Sequence, residues 1–107
     1  MDGPIVDRQR LESFTAGDAA LERELIALYL ETAALYLDRM RRAANDPAVW
    51  RSIAHALKGA SANIGAVAVA RLAARCEHEA PSLAALQMLE CEIAEVRRVI
   101  AVPPHLA

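Results

Sequence analysis

The chain has 107 residues, a formal net charge of −2 and 24 alanines against an aromatic share of 4%. That length makes one domain able to bury one core, and the composition points to close-packed helices rather than sheet. With arginines scattered among acids there is no general attraction to nucleic acid, and no apolar run approaches the roughly 20 residues that span a bilayer.

A secretory signal pattern is lacking at the start. Cys76 and Cys91 have neither metal-ligand spacing nor a CxxC arrangement, so two reduced thiols in a cytoplasmic protein are expected. In chain order, Asp7 to Phe14 reads as a short helix able to lie across one end of a bundle. Gly17-Asp18 then signals a start, with Asp18 as N-cap. From Ala19 to about Ala44, Leu21, Leu25, Leu28, Thr32 and Leu35 mark one buried stripe. Asp46-Pro47 is a strong second start, an aspartate cap with proline at the first helical position, and Gly65 turns the chain after Ile64. Ala66 to Ala80 forms the third main helix, with Val69, Leu72, Ala73 and Cys76 inward. Pro81-Ser82 breaks the chain and caps the fourth, in which Leu86, Leu89, Ile93, Val96 and Ile100 run to about Val102. Pro103-Pro104 ends it and leaves a mobile tail, 103–107. Short connections make successive helices antiparallel neighbours. The expected fold is all-α: an antiparallel up-down four-helix bundle with a short extra N-terminal helix, one domain with its core at about 18–102.

The helix 47–64 carries the chemistry. At about 100° per residue, Trp50, Ile53, Ala54, Leu57, Ala60, Ser61 and Ile64 form its apolar stripe. His55 lies roughly 160° from Leu57, among Ala48, Arg51, Ser52, Gly59 and Ala62, with Lys58 at the flank. An imidazole is thus presented to solvent among small residues and two cations. Gly59 costs the helix about 1 kcal/mol relative to alanine, and its missing side chain would let another molecule approach His55. Imidazole, with an unperturbed pKa of about 6.5, is a competent neutral nucleophile at pH 7, and Lys58 can reach an incoming negative charge. Nucleophile, access and cation fit a covalent phosphoryl acceptor.

The run His55-x-Leu57-Lys58-Gly59-x-Ser61-x-Asn63-x-Gly65-Ala66, followed by Val69, Leu72, Cys76 and Glu77, closely resembles the histidine phosphotransfer (HPt) domain signature of bacterial multistep phosphorelays. The likeness extends over the chain, since Gly17-Asp18 before a long helix with Leu25, Leu28 and Tyr29 also resembles this family. Cys76 stands where a larger aliphatic residue is usual, a conservative departure that affects packing. The resemblance implies a four-helix bundle whose exposed histidine carries a phosphoryl group between aspartates of receiver domains. It implies that Glu77, on the next helix, approaches the imidazole and accepts its other ring N–H. His55, Lys58, Gly59 and Glu77 are then the transfer residues. Arg51, Ser52 and Ala62 join the docking surface on the histidine helix and its neighbour. The expected partners are receivers of hybrid histidine kinases and response regulators, met by a monomer. No cofactor or metal is expected on this chain; Mg²⁺ belongs with the receiver, and there is no glycine-rich nucleotide loop, so the chain is a carrier rather than an enzyme.

Other features have plainer readings. Trp50 is a core anchor, His78 and Glu79 a solvated face, and His105 lies in the proline tail. Cys76-Glu77-His78-Glu79 fans around a helix without the i, i+4 pairing of helical metal sites. Arg39, Arg41 and Arg42 complement a helix C-terminus. Two rival functions remain at this level. A kinase dimerisation and phosphoacceptor module is disfavoured by Ala56, where an acid would follow the histidine, and by the lack of an ATP-binding domain after it. A non-catalytic interaction bundle would make His55 incidental.

Overall fold

All the helices but the one after Gly65 start where a side-chain oxygen can take up amides that lack a partner in the first turn. The structure, a computed structural model, describes residues 6–101. Its helices are α1 (Arg8–Thr15), α2 (Ala19–Arg42), α3 (Pro47–Ile64), α4 (Val67–Cys76) and α5 (Leu83–Ala101). Asp7, Asp18 and Asp46 accept from the amides of Arg10, Leu21 and Val49, and Ser82 accepts from Ala85 at 2.9 Å. Pro47 takes the first position of α3, where a missing N–H costs nothing.

Around the bundle, α3 packs between α2 and α4, while α5 packs against the same two helices from the far side, diagonal to α3. The short α1 lies on α2 and α3. The core is built from Tyr29, Ala33, Leu37 and Met40 of α2, Trp50, Ala54 and Leu57 of α3, Val69 and Ala73 of α4, and Leu86, Leu89, Ile93 and Val96 of α5. Within it, the Tyr29 and Ser61 hydroxyls hydrogen-bond at 2.7 Å, both residues being buried, which fixes the register of α2 on α3. Burial pushes the Tyr29 phenol up to about 12, with the Ser61 hydrogen bond acting the other way.

Gly65 closes α3 with φ 82°. Its carbonyl accepts from the Asp7 amide at 2.7 Å, and a Cβ there would come within 2.6 Å of the Asp7 carbonyl oxygen. The turn after the histidine helix and the anchoring of α1 therefore need the same glycine.

Two expectations are corrected. The stripe Leu21, Leu25, Leu28, Thr32 and Leu35 is not the buried one: Leu21, Leu28 and Leu35 are exposed, and Leu25 and Thr32 half-buried. The inward set is Ile26, Tyr29, Ala33, Leu37 and Met40, about 120° further round the helix. Ala33 lets α2 approach closely and Tyr29 finds its hydroxyl partner, advantages that a row of leucines lacks. The third main helix also stops at Cys76, not Ala80, because the buried Trp50 indole N–H donates to the Cys76 carbonyl at 3.2 Å and satisfies a helix-end group without a further turn. The tail 103–107, His105 with it, and the inward position given to Ile100 lie outside what is described.

Candidate functional site

The exposed side of α3 consists of Arg51, Ser52, His55, Gly59 and Ala62, while Trp50, Ala54, Leu57 and Ser61 are buried on the other. The His55 side chain keeps 69% of its surface in solvent. A Cβ built on Gly59 would meet nothing within 4 Å. Neither packing nor an unusual φ demands a glycine there, so the helix gives up about 1 kcal/mol for open space one turn from the imidazole.

Glu77 comes to this face from the turn after α4, where it is the helix C-cap. A carboxylate at a helix C-terminus opposes the dipole, and this one keeps only 12% side-chain exposure. Two neighbours offset that cost. Its Oε2 lies 3.2 Å from His55 Nδ1, and its Oε1 lies 2.7 Å from the Lys58 ammonium. Hydrogen bonding from Lys58 is the main cause that holds the Glu77 carboxyl below its ordinary value; burial works against it, and His55 helps.

A carboxylate only accepts, so the nitrogen facing it must carry the proton. Nδ1–H therefore donates to Glu77, and Nε2 keeps its lone pair, with no hydrogen-bond partner among the described residues. The arrangement fixes the ring's tautomer and leaves the nucleophilic nitrogen toward solvent. Trp50 reaches this site indirectly, since its bond to the Cys76 carbonyl holds the backbone one residue before Glu77.

Of the other sequence-derived site residues, Lys58 meets Glu77 directly, and Arg51 shares a recess with Glu77, His78 and Glu79 without an ion pair among the described residues. Ser52 and Ala62 lie on the exposed face, and neither side chain hydrogen-bonds to His55, Lys58 or Glu77. Arg41 pairs with Glu90 of α5 and Arg42 with Asp38. Among the described residues, no cluster of His, Cys, Asp and Glu could hold a metal, and no helix is long and apolar enough to cross a membrane. Cys76 and Cys91 are free thiols.

Sequence reasoning missed the two flanks of His55. Toward α2 runs an apolar groove of about 350 Å³, walled by Phe14, Leu25 and Leu28 on one side and by Ala60, Asn63 and Ile64 on the other. Because Tyr29 pairs with Ser61 and the helices are antiparallel, Leu35, six residues beyond Tyr29, stands level with His55, six before Ser61. Toward α4 lies a trough of about 390 Å³ floored by alanines and edged by Arg10, Lys58 and Arg71. The leucines are legible in the sequence as a stripe on α2, but as its buried one rather than as a surface; nothing in the sequence places Arg10 in one trough with Lys58.

The Hpt domain family model matches residues 24–101. Among solved structures, the chain is similar to histidine-containing phosphotransfer protein B (HptB) from Pseudomonas aeruginosa PAO1, with a TM-score of 0.83, 26% identity and 94% of each chain covered. It is also similar to the histidine phosphotransferase ShpA from Caulobacter crescentus, with a TM-score of 0.70, 31% identity and 92% of each chain covered. No curated protein shows a sequence match to the chain.

Proposed function

The chain belongs to the Hpt domain family and is a phosphorelay carrier; from the geometry of its exposed face we propose that Nε2 of His55 is the atom that carries the phosphoryl group. The observation that supports this most is the Glu77–His55 contact, which commits Nδ1 as a donor and leaves the other nitrogen with a lone pair. In the forward step Nε2 attacks the phosphorus of a receiver's phospho-aspartate. The N–P bond forms, the P–O bond to the aspartate breaks, and the aspartate leaves as a carboxylate. The ring, still protonated at Nδ1, becomes cationic and is stabilised by Glu77. The reverse step delivers the group to a second receiver.

Transfer of this kind requires mainly positioning and charge compensation. Glu77 is the positioning residue, Gly59 leaves room for the incoming aspartate, and Lys58 compensates both Glu77 and the arriving phosphoryl oxygens. In this reading the chain needs no nucleotide site or metal of its own, and Mg²⁺ would come with the receiver. The partner rests on α3 and on the leucine wall of α2, as expected of a small transient interface, and the carrier acts as a cytoplasmic monomer. Arg51, Ser52 and Ala62 line the contact on α3. Neither a kinase dimerisation module nor an inert bundle fits as well, because the family match and both structural likenesses are to phosphotransfer proteins.

The test is incubation with a phosphorylated receiver, comparing wild type with His55→Gln. Wild type should acquire an acid-labile, base-stable phosphate and the variant none, while both unfold at the same temperature, since an exposed polar exchange changes stability by no more than about 0.5 kcal/mol. Equal labelling of the variant would remove His55 from the role.

A further inference from the structure

The trough between α3 and α4 gathers three cations from three helices: Arg10 of α1, Lys58 of α3 and Arg71 of α4. This is unexpected in a chain of net charge −2. Its floor is made of Ala62, Ala70 and Ala74, so no side chain of the domain fills the space between the charges. Of the nearby acids, Glu77 takes up the Lys58 ammonium and Asp7 itself lines the trough, so the charges without an ion pair among the described residues are those of Arg10 and Arg71. The Asp7 carboxylate accepts from the Arg10 amide as the cap of α1, and Glu77 is engaged by Lys58 and His55. The Arg10 guanidinium reaches only the neutral Asn63 carbonyl oxygen, at 3.4 Å, and lies over the Phe14 ring at 5.0 Å. Arg71 makes no ion pair among the described residues, whereas Arg41, Arg42, Arg75 and Arg98 each have a carboxylate.

The Arg71 guanidinium over an alanine floor, with Arg10 at the rim and Lys58 joining the trough to His55, forms a receptor for carboxylates on a surface approaching the histidine. We infer that this trough receives an acidic segment of the receiver domain, with Arg10 and Arg71 reading its charge and so selecting among receivers. The inference rests on the phosphocarrier reading. Guanidiniums suit this because they remain charged and can engage a carboxylate in bidentate fashion. Lying at the rim of an interface, they act chiefly on the encounter rate and its salt dependence.

The test uses the full chain and a panel of receiver domains phosphorylated with acetyl phosphate, the fastest donor serving as probe. Transfer rate against receiver concentration is measured for wild type, Arg10→Glu, Arg71→Glu, Arg71→Lys and Arg97→Glu. Arg97 is an exposed residue of α5, the helix diagonal to α3 in the bundle. Arg10→Glu and Arg71→Glu should raise the half-saturating concentration about tenfold and leave the maximal rate within about twofold, with most of the difference erased in high salt. Arg71→Lys should recover part of the loss, and Arg97→Glu should behave as wild type. Direct labelling of His55 by phosphoramidate, which needs no docking, should be equal in all five. An unchanged half-saturation in Arg71→Glu, or an equal rise in Arg97→Glu, overturns the inference while leaving the carrier reading intact. Absence of transfer from every receiver to wild type overturns the carrier reading itself.

Discussion

The two flanks of His55 are built from opposite chemistry. On the α2 side, Leu28 stands 58% exposed in the wall of an apolar groove, and Leu35, 48% exposed, lies level with the imidazole. On the α4 side, the walls carry Arg10, Lys58 and Arg71, and Glu77 reaches up to the ring. Covering a leucine fully is worth about 1.5–3 kcal/mol and does not depend on the partner's charge, whereas an exposed ion pair is worth at most about 1 kcal/mol and does. The α2 flank therefore supplies adhesion to any suitable receiver, and the α4 flank supplies orientation and choice. A carrier that must release each partner gains by keeping these apart, because discrimination can be tuned without altering the shared grip.

The sharpest way to break this comparison is the double change Leu28→Asp with Leu35→Asp. Half-burial of each leucine at the interface is worth about 1 kcal/mol, so together they should raise the half-saturating receiver concentration about thirtyfold. The thermal midpoint should not fall, as neither side chain belongs to the core. Unaltered transfer would show that receivers do not use the α2 flank.

Next in size is Glu77→Ala, expected to lower the maximal transfer rate about tenfold, on the scale seen when a partner that orients a histidine is removed, with half-saturation unchanged. Glu77→Gln should recover part of it, since an amide oxygen still accepts from Nδ1. The same residue sets a pH test. Its carboxyl lies below 4.5 in the fold because of Lys58, so its contribution to stability is present above the unfolded value of 4.5 and is lost as pH falls through the lowered folded value. The urea midpoints of wild type and Glu77→Gln should differ above pH 4.5 and converge as pH falls through the lowered folded value. A gap that persists at pH 3 would contradict the assigned shift.

Smaller effects separate access from charge. Gly59→Gln should slow transfer several-fold yet leave phosphoramidate labelling nearly intact, and the helix should gain somewhat less than about 1 kcal/mol from losing a glycine. Normal transfer would mean that the open space beside His55 is not used. Lys58→Ala should reduce the rate or the phosphohistidine lifetime about threefold at low salt, with Lys58→Glu worse and the difference shrinking as salt is raised. If Lys58→Glu equals wild type in both quantities at low salt, the ammonium has no electrostatic part in the transfer.

The histidine helix was the most legible part of the chain because its signals are local. Asp46-Pro47 and Gly65 bound it, and the 3.6-residue period puts His55 opposite Leu57. α2 was misread because two stripes compete on one helix, and periodicity favours the more hydrophobic row. The packed choice turns instead on a non-local pair, Tyr29 with Ser61, which only the assembled bundle brings together. The end of α4 is similar. Nothing in Arg75-Cys76-Glu77-His78 marks a stop, and the stop depends on an indole 26 positions earlier in the chain. The place of Glu77 beside His55 followed from the family resemblance, whereas its second partner, Lys58, became visible only through geometry.

The central claim concerns which nitrogen of His55 bears the phosphoryl group, because Glu77 takes one and leaves the other. The most direct measurement is phosphorus and nitrogen NMR of the domain after transfer from a phosphorylated receiver, read at the two ring nitrogens. The account predicts a single phosphohistidine, bonded through Nε2, with the Nδ1 proton retained. Phosphate on Nδ1, or on any residue other than His55, would contradict it.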